Sequence, residues 1–176
     1  MSPTSNVKGF IRNLSSDEAF LILQKLFFEN PDLEKLIYQT ALKVVSNVDA
    51  EEIANDLHDD LQSLDTDELF NRSGSSRHGY IEPHDEAWVM FEETVEPYIS
   101  EMKKYHQREI SHAVKEYCLG IIEGLMMFEK EGSEFSEWVE NAPKESISYV
   151  IDEYKQLQPS VKDVVEIMKK MEELEK

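Results

Sequence analysis

Residues 108–130 read REISHAVKEYCLGIIEGLMMFEK, and this run decides the fold class. Ile110, Ala113, Val114, Tyr117, Ile121, Leu125 and Phe128 recur every three or four positions, the spacing that lines one face of an α-helix. At a rise of ~1.5 Å per residue such a helix is about 35 Å long. Gly120 and Gly124 stand one turn apart on it. Glycine costs a helix ~1 kcal/mol against alanine, so the pair predicts close approach of another helix, and the segment just before it, over 83–105, is the expected partner. Cys118 is the only cysteine and reads as a small buried thiol. A lone cysteine excludes an intrachain disulfide and a cysteine cluster for zinc.

The helical period continues towards the N-terminus. Pro83 opens a helix to about Tyr105, with Ala87, Trp88, Phe91, Val95, Tyr98 and Met102 inward. Pro97 inside it predicts a kink near Glu93, because proline removes a hydrogen bond and crowds the preceding turn. Further back, Ser15 and Glu18 form a capping box ahead of a first helix with Ala19, Ile22, Leu23, Leu26 and Phe27 on one face. Phe20 and Phe28 widen that stripe, which predicts a helix covered on more than one side. Asn30-Pro31 starts a second helix over Leu33, Ile37, Ala41, Val44, Val45 and Val48. Asp49 and Glu52 cap a third, lined by Ile53, Leu57, Leu61 and Leu64.

Beyond Gly132, Phe135, Trp138 and Val139 suggest a short turn, and Ala142-Pro143 opens a helix with Ile147, Val150, Ile151 and Tyr154 inward. Ser160 and Asp163 cap the last helix, striped by Val161, Val164, Val165, Met168, Met171 and Leu174. That helix either packs on the body or meets a second copy, and is a candidate homodimer interface. The expectation is an all-α fold of antiparallel helix pairs, a bundle or short solenoid of about seven or eight helices. Residues 1–71 form a three-helix N-terminal half, 72–82 a loop reading Arg-Ser-Gly-Ser-Ser-Arg-His-Gly from Arg72 to Gly79, and 83–176 a C-terminal helical half, together one compact unit.

The net charge is −19, from 37 acids against 18 bases, and both halves are acidic. A field of that sign repels phosphate, and no basic stripe with aromatics interrupts it, so nucleic acid and anionic membranes are disfavoured as partners. No stretch reaches the ~20 apolar residues of a membrane span, and residues 1–8 lack an apolar signal core, so a cytoplasmic protein is expected.

Chemistry has few places to reside. The histidines are His58, His78, His84, His106 and His112, and none completes a zinc-protease pair with a glutamate between. His58-Asp59 and His84-Asp85 share a histidine–aspartate step with metal phosphohydrolases, without further identifiable ligands. His78, Glu82, His84 and Asp85 could hold a divalent ion beside the loop. The same acids suit a helix N-terminus, where the dipole favours negative charge. Glu109 and His112 match one half of a di-iron Glu-x-x-His pattern, with no second half. Trp88, Tyr98, Tyr117 and Tyr154 fall on inward faces. Tyr80 and Trp138 lie next to helix ends and are the expected exposed anchors for a partner.

The segment from Leu14 to Leu157, with Leu-Ser-Ser-Asp-Glu, Asn-Pro-Asp-Leu and then Gly79-Tyr80-Ile81, Ala87-Trp88 and Val95-Glu96-Pro97, resembles the helical region flanking SWIM-type zinc fingers in uncharacterised microbial proteins. The resemblance implies tetratricopeptide-like helix pairs and carries over no catalytic residue. The finger itself is absent, and no 34-residue repeat recurs. The functional expectation is a non-enzymatic interaction or scaffolding domain without cofactor, holding a basic protein partner on a face between the helices over 31–48, 83–105 and 108–130. The alternative is a metal-binding helical protein or metal-dependent hydrolase built on His78 to Asp85.

Overall fold

The computed structural model describes residues 3–76 and 79–174. Its fold is all-α, with nine α-helices and one small hairpin among those residues. The chain divides into two units, residues 1–45 and 46–176. The division falls at Val45, not in the glycine- and serine-rich stretch at 72–82 where composition placed it. That stretch lies wholly inside the second unit.

The first unit holds α1 (Pro3–Arg12), α2 (Ser16–Glu29) and, after a 3-10 turn at Pro31–Leu33, α3 (Glu34–Val45). The capping box of α2 forms as the sequence predicts: the Glu18 amide donates to Ser15 Oγ at 3.3 Å, and the Ser15 amide to Glu18 Oε2 at 2.9 Å. The expected burial of α2 does not follow. None of the residues of α2 or α3 is buried, and the stripe with Leu23, Leu26 and Phe27 stays open.

The second unit contains α4 (Ala50–Gln62), α5 (Thr66–Arg72), β1 (Gly74–Ser76), β2 (Gly79–Ile81), α6 (Pro83–Gln107), α7 (Ser111–Glu131), α8 (Ala142–Gln156) and α9 (Val161–Leu174). Asp49 caps α4 through the Glu51 amide, and Asp65 caps α5 through the Asp67 amide. Where a plain loop was expected, β1 and β2 pair antiparallel with Ser75 opposite Tyr80. Gly74 at φ 94° and Gly79 at φ 128° allow the turn into and out of that pairing. Helix α6 runs unbroken through Pro97.

Helix α7 is the centre of this unit and packs against α4, α6, α8 and α9. Its closest partner is α4, which corrects the expectation that the two glycines receive the helix over 83–105. A Cβ on Gly120 would stand 2.6 Å from Ile53 Cβ and 2.7 Å from the Ala50 carbonyl oxygen, and one on Gly124 2.8 Å from the Ala54 carbonyl oxygen. Each of those contacts is shorter than carbon can approach, so the bare backbone of α7 is what lets α4 lie flat on it. Phe91, Met102, Ile121, Leu125, Phe128 and Phe135 fill the space beside this seam. Cys118 is fully buried there, and burial pushes its thiol up to about 12.

Helix α9 packs on α7. Ile167 is buried, with Val164 and Met171 half-buried beside it. Lys115 of α7 reaches Glu166 at 2.9 Å, and Lys170 reaches Glu123 at 3.3 Å. The face with Val161, Val165 and Met168, which the sequence had taken as part of the packing stripe, remains outside. Ser160 caps the helix: its hydroxyl accepts from the Asp163 amide and donates to the Asp163 carboxylate.

Candidate functional site

Helices α6 and α8 touch only sparsely, and a cleft of about 810 Å³ opens between them. Along α6 the residues Trp88, Glu92, Val95 and Ile99 fall at steps of three and four, with Glu96 one turn beyond Glu92, so one face of the helix lines it. Helix α8 contributes Glu145, Ser146 and Tyr149. Val95 and Ile99 are buried at the floor, whereas Val89, Pro97 and Tyr149 present exposed apolar surface. Pro97 has no amide hydrogen and breaks one helical bond, but its ring adds to the apolar wall.

The rim is acidic. Glu92, Glu93, Glu96 and Glu145 line the cleft, and among the described residues no lysine or arginine does. Glu93 is held by Arg72, whose Nη2 donates to its Oε2 at 3.0 Å while Nε donates to Glu86 Oε1 at 2.6 Å. These carboxylates raise the Arg72 pKa, Glu93 contributing most. Glu96 accepts a hydrogen bond from Ser100. The nearest base on α8, Lys144, is drawn away to Glu129 at 2.8 Å. Lys103 is likewise taken by Glu153. Glu92 and Glu145 have no ion-pair partner among the described residues.

The cleft differs from the groove expected on the helices over 31–48, 83–105 and 108–130. Only the second of those helices lines it. Trp88, read from its spacing as core, is half-buried and forms part of the wall, and the exposed Glu92 and Glu93 stand at the rim. Glu145 and Tyr149 were not singled out. Glu145 and Tyr149 stand four apart and share a face by spacing alone, but the helix they would face was not visible.

Of the proposed metal ligands, His78 lies outside the described residues. Glu82 stands at the N-cap of α6, with His84 and Asp85 exposed in its first turn. Among the described residues no group of three histidine, cysteine or acid side chains converges as a metal site. His58 instead places Nε2 3.0 Å from Glu131 Oε2, joining the end of α4 to the end of α7. Glu109 takes a left-handed φ of 59° in the turn before α7, and His112 is exposed beside Glu116, so neither side chain belongs to a bundle core.

The two expected anchors separate. Tyr80 is exposed on β2. Trp138 is half-buried, edge-on to the Phe70 ring at 5.5 Å, and so belongs to the packing. A smaller cleft of about 390 Å³ is lined by His106, Glu109, Tyr154 and the pair Ser160 and Asp163, of which the last two already cap α9, with Asp163 also 3.7 Å from Lys115. No helix among the described residues is long and apolar enough to cross a membrane. No family model matches the chain, and neither a curated protein nor a solved structure shows significant similarity to it.

Proposed function

We propose that residues 46–176 are a non-enzymatic interaction module that seats a basic, amphipathic segment of a partner protein in the α6–α8 cleft. The observation that carries this reading is the pairing of an apolar floor with a lining that, among the described residues, holds four carboxylates and no lysine or arginine. Apolar side chains of the partner would bury against Val89, Pro97 and Tyr149, while lysine or arginine heads meet Glu92, Glu96 and Glu145. The Trp88 and Tyr149 rings add faces on which a guanidinium or ammonium group is attracted. The acidic excess of the chain steers such a partner inward and repels polyanions.

The test is binding of an amphipathic lysine–leucine helical peptide to the full chain, read by Trp88 fluorescence in a Trp138→Phe background. The expected result is saturable binding that weakens at least tenfold in Glu92→Lys/Glu145→Lys. The same charge change placed elsewhere, in Glu140→Lys/Glu172→Lys, should leave it within about twofold, since distant charges are screened within ~10 Å at 0.1 M salt. Equal losses in the two variants would reduce the effect to bulk charge and sink the proposal. So would equal affinity for the glutamate–leucine counterpart.

A further inference from the structure

The first unit differs from the second in charge and in burial, and the two differences point the same way. Residues 1–45 hold five acids (Asp17, Glu18, Glu29, Asp32, Glu34) and five bases (Lys8, Arg12, Lys25, Lys35, Lys43), and so carry no net charge. The whole surplus of −19 therefore belongs to residues 46–176. In the neutral unit no described residue is buried, and only Leu14, Leu33, Ile37 and Leu42 are even half-buried. Helix α2 is apolar on most of its circumference, from Ala19 through Leu23 and again from Leu26 through Phe28. A helix of that composition is stable in water only when covered. A segment of this size sits near the limit below which a chain needs help from a metal, a disulfide or another copy to build a core.

We propose that residues 1–45 are a self-association module, and that what covers α2 and α3 is the same face of a second copy of this chain. Area supports it. Phe10, Phe20, Phe27, Phe28 and Tyr38 are between 42% and 74% exposed. Rings of their type bury ~150–250 Å² each, so these five offer roughly 100 Å² apiece. With the exposed leucines, isoleucines and valines of the same unit, the apolar surface, spread over more than one side of α2, is of the order of the ~800 Å² per partner of a standard stable interface. Charge supports it further. Two copies meeting through neutral surfaces incur no net like-charge repulsion, whereas any contact between two acidic second units does.

Other occupants fit the composition less well. A lipid surface would be met by a helix with a strongly basic polar face, and here acids and bases are equal. A basic partner has no field to follow on a neutral unit. The second unit already closes its own core with residues from Ile53 to Ile167. This inference does not depend on the peptide-binding reading, although a dimer would present two acidic clefts and bind multivalent partners with avidity.

The measurement is the solution mass of the full chain by light scattering and sedimentation, at 0.1 and 1 M sodium chloride. The expected mass is twice 20.5 kDa at both salts, since an apolar neutral interface is not screened away. Leu23→Glu/Phe27→Glu should return the chain to the single mass while the thermal transition of the second unit stays in place. Val165→Glu/Met168→Glu, on the exposed face of α9, should leave the dimer intact. A wild-type chain of single mass overturns the proposal in favour of another cover for this face, and that reading needs no variant to fold. A dimer that survives Leu23→Glu/Phe27→Glu, or that Val165→Glu/Met168→Glu dissolves, overturns it too. Peptide binding at Glu92 and Glu145 is read separately, so failure of one result leaves the other standing.

Discussion

At Gly120 and Gly124 a missing methyl group sets the distance between two helices. The obstructing neighbours are the Ala50 and Ala54 carbonyl oxygens and the Ile53 and Leu57 Cβ atoms, none of which is the free end of a flexible side chain. An added Cβ must therefore push α4 away from α7. Overpacking of this kind costs typically ~1–3 kcal/mol, against the ~1 kcal/mol that alanine returns in helix propensity. Gly120→Ala and Gly124→Ala should each lower the stability of the second unit by up to about 2 kcal/mol in urea titrations. An unchanged or raised midpoint would show that the seam can relax. The sequence disclosed the need for close approach, since two glycines in a strong helix have few other reasons. It did not disclose the partner: nothing local distinguishes α4 from α6, and α4 is joined to α7 only through some fifty residues of intervening chain.

Between elements, Arg72 is the connection most open to test. It leaves the end of α5 and meets two carboxylates one and three turns into α6, at 2.6 Å and 3.0 Å. Glu86 is the one charged residue that is buried among those described. Removing the arginine strands that carboxylate, which costs ~1–3 kcal/mol for a buried charged acceptor. Arg72 itself is a third exposed, so solvent screening trims the figure. Arg72→Ala should destabilise by about 1–2 kcal/mol, and Glu86→Gln in that background should recover part of the loss, measured as a double-mutant cycle in denaturant. The same variant frees Glu93 at the cleft rim, so Arg72→Ala should bind the lysine–leucine peptide more tightly than wild type. Stability unaltered by Arg72→Ala would make the contact a surface pair without consequence. The cleft is an element-scale property, which explains why the sequence showed its residues but not their assembly. Trp88 and Glu92 lie on one face by spacing alone, whereas Tyr149 and Glu145 join them only once α8 has docked.

Over the whole molecule, the helical class was legible because amphipathic period and caps are local signals, and the caps at Ser15, Asp49 and Ser160 form where expected. The unit boundary was not, because Pro31, Gly74 and Gly79 interrupt helices as forcefully as any linker while Val45 to Asp49 contains neither residue. What does change at Val45 is charge, from neutral to strongly acidic, and that makes a prediction about the second unit. Its thirteen bases face 32 acids, and Arg72, Lys103, Lys115, Lys144 and Lys170 are already engaged in ion pairs across elements. Salt weakens those pairs and also weakens the mutual repulsion of the unpaired acids. The surplus of negative charge makes repulsion the larger contribution, because a net charge far from zero opposes the compact state. Screening contracts from ~10 Å at 0.1 M to ~3 Å at 1 M, short enough to separate neighbouring surface carboxylates. Raising sodium chloride from 0.1 to 1 M at pH 7 should therefore raise the Tm of this transition by about 3 °C or more, roughly 1 kcal/mol for a unit of this size. Near pH 4.6, where the chain approaches neutrality, the same addition should raise it far less. A Tm that falls with salt at pH 7 would mean that the inter-helix ion pairs, and not the acidic excess, dominate the electrostatics of this fold.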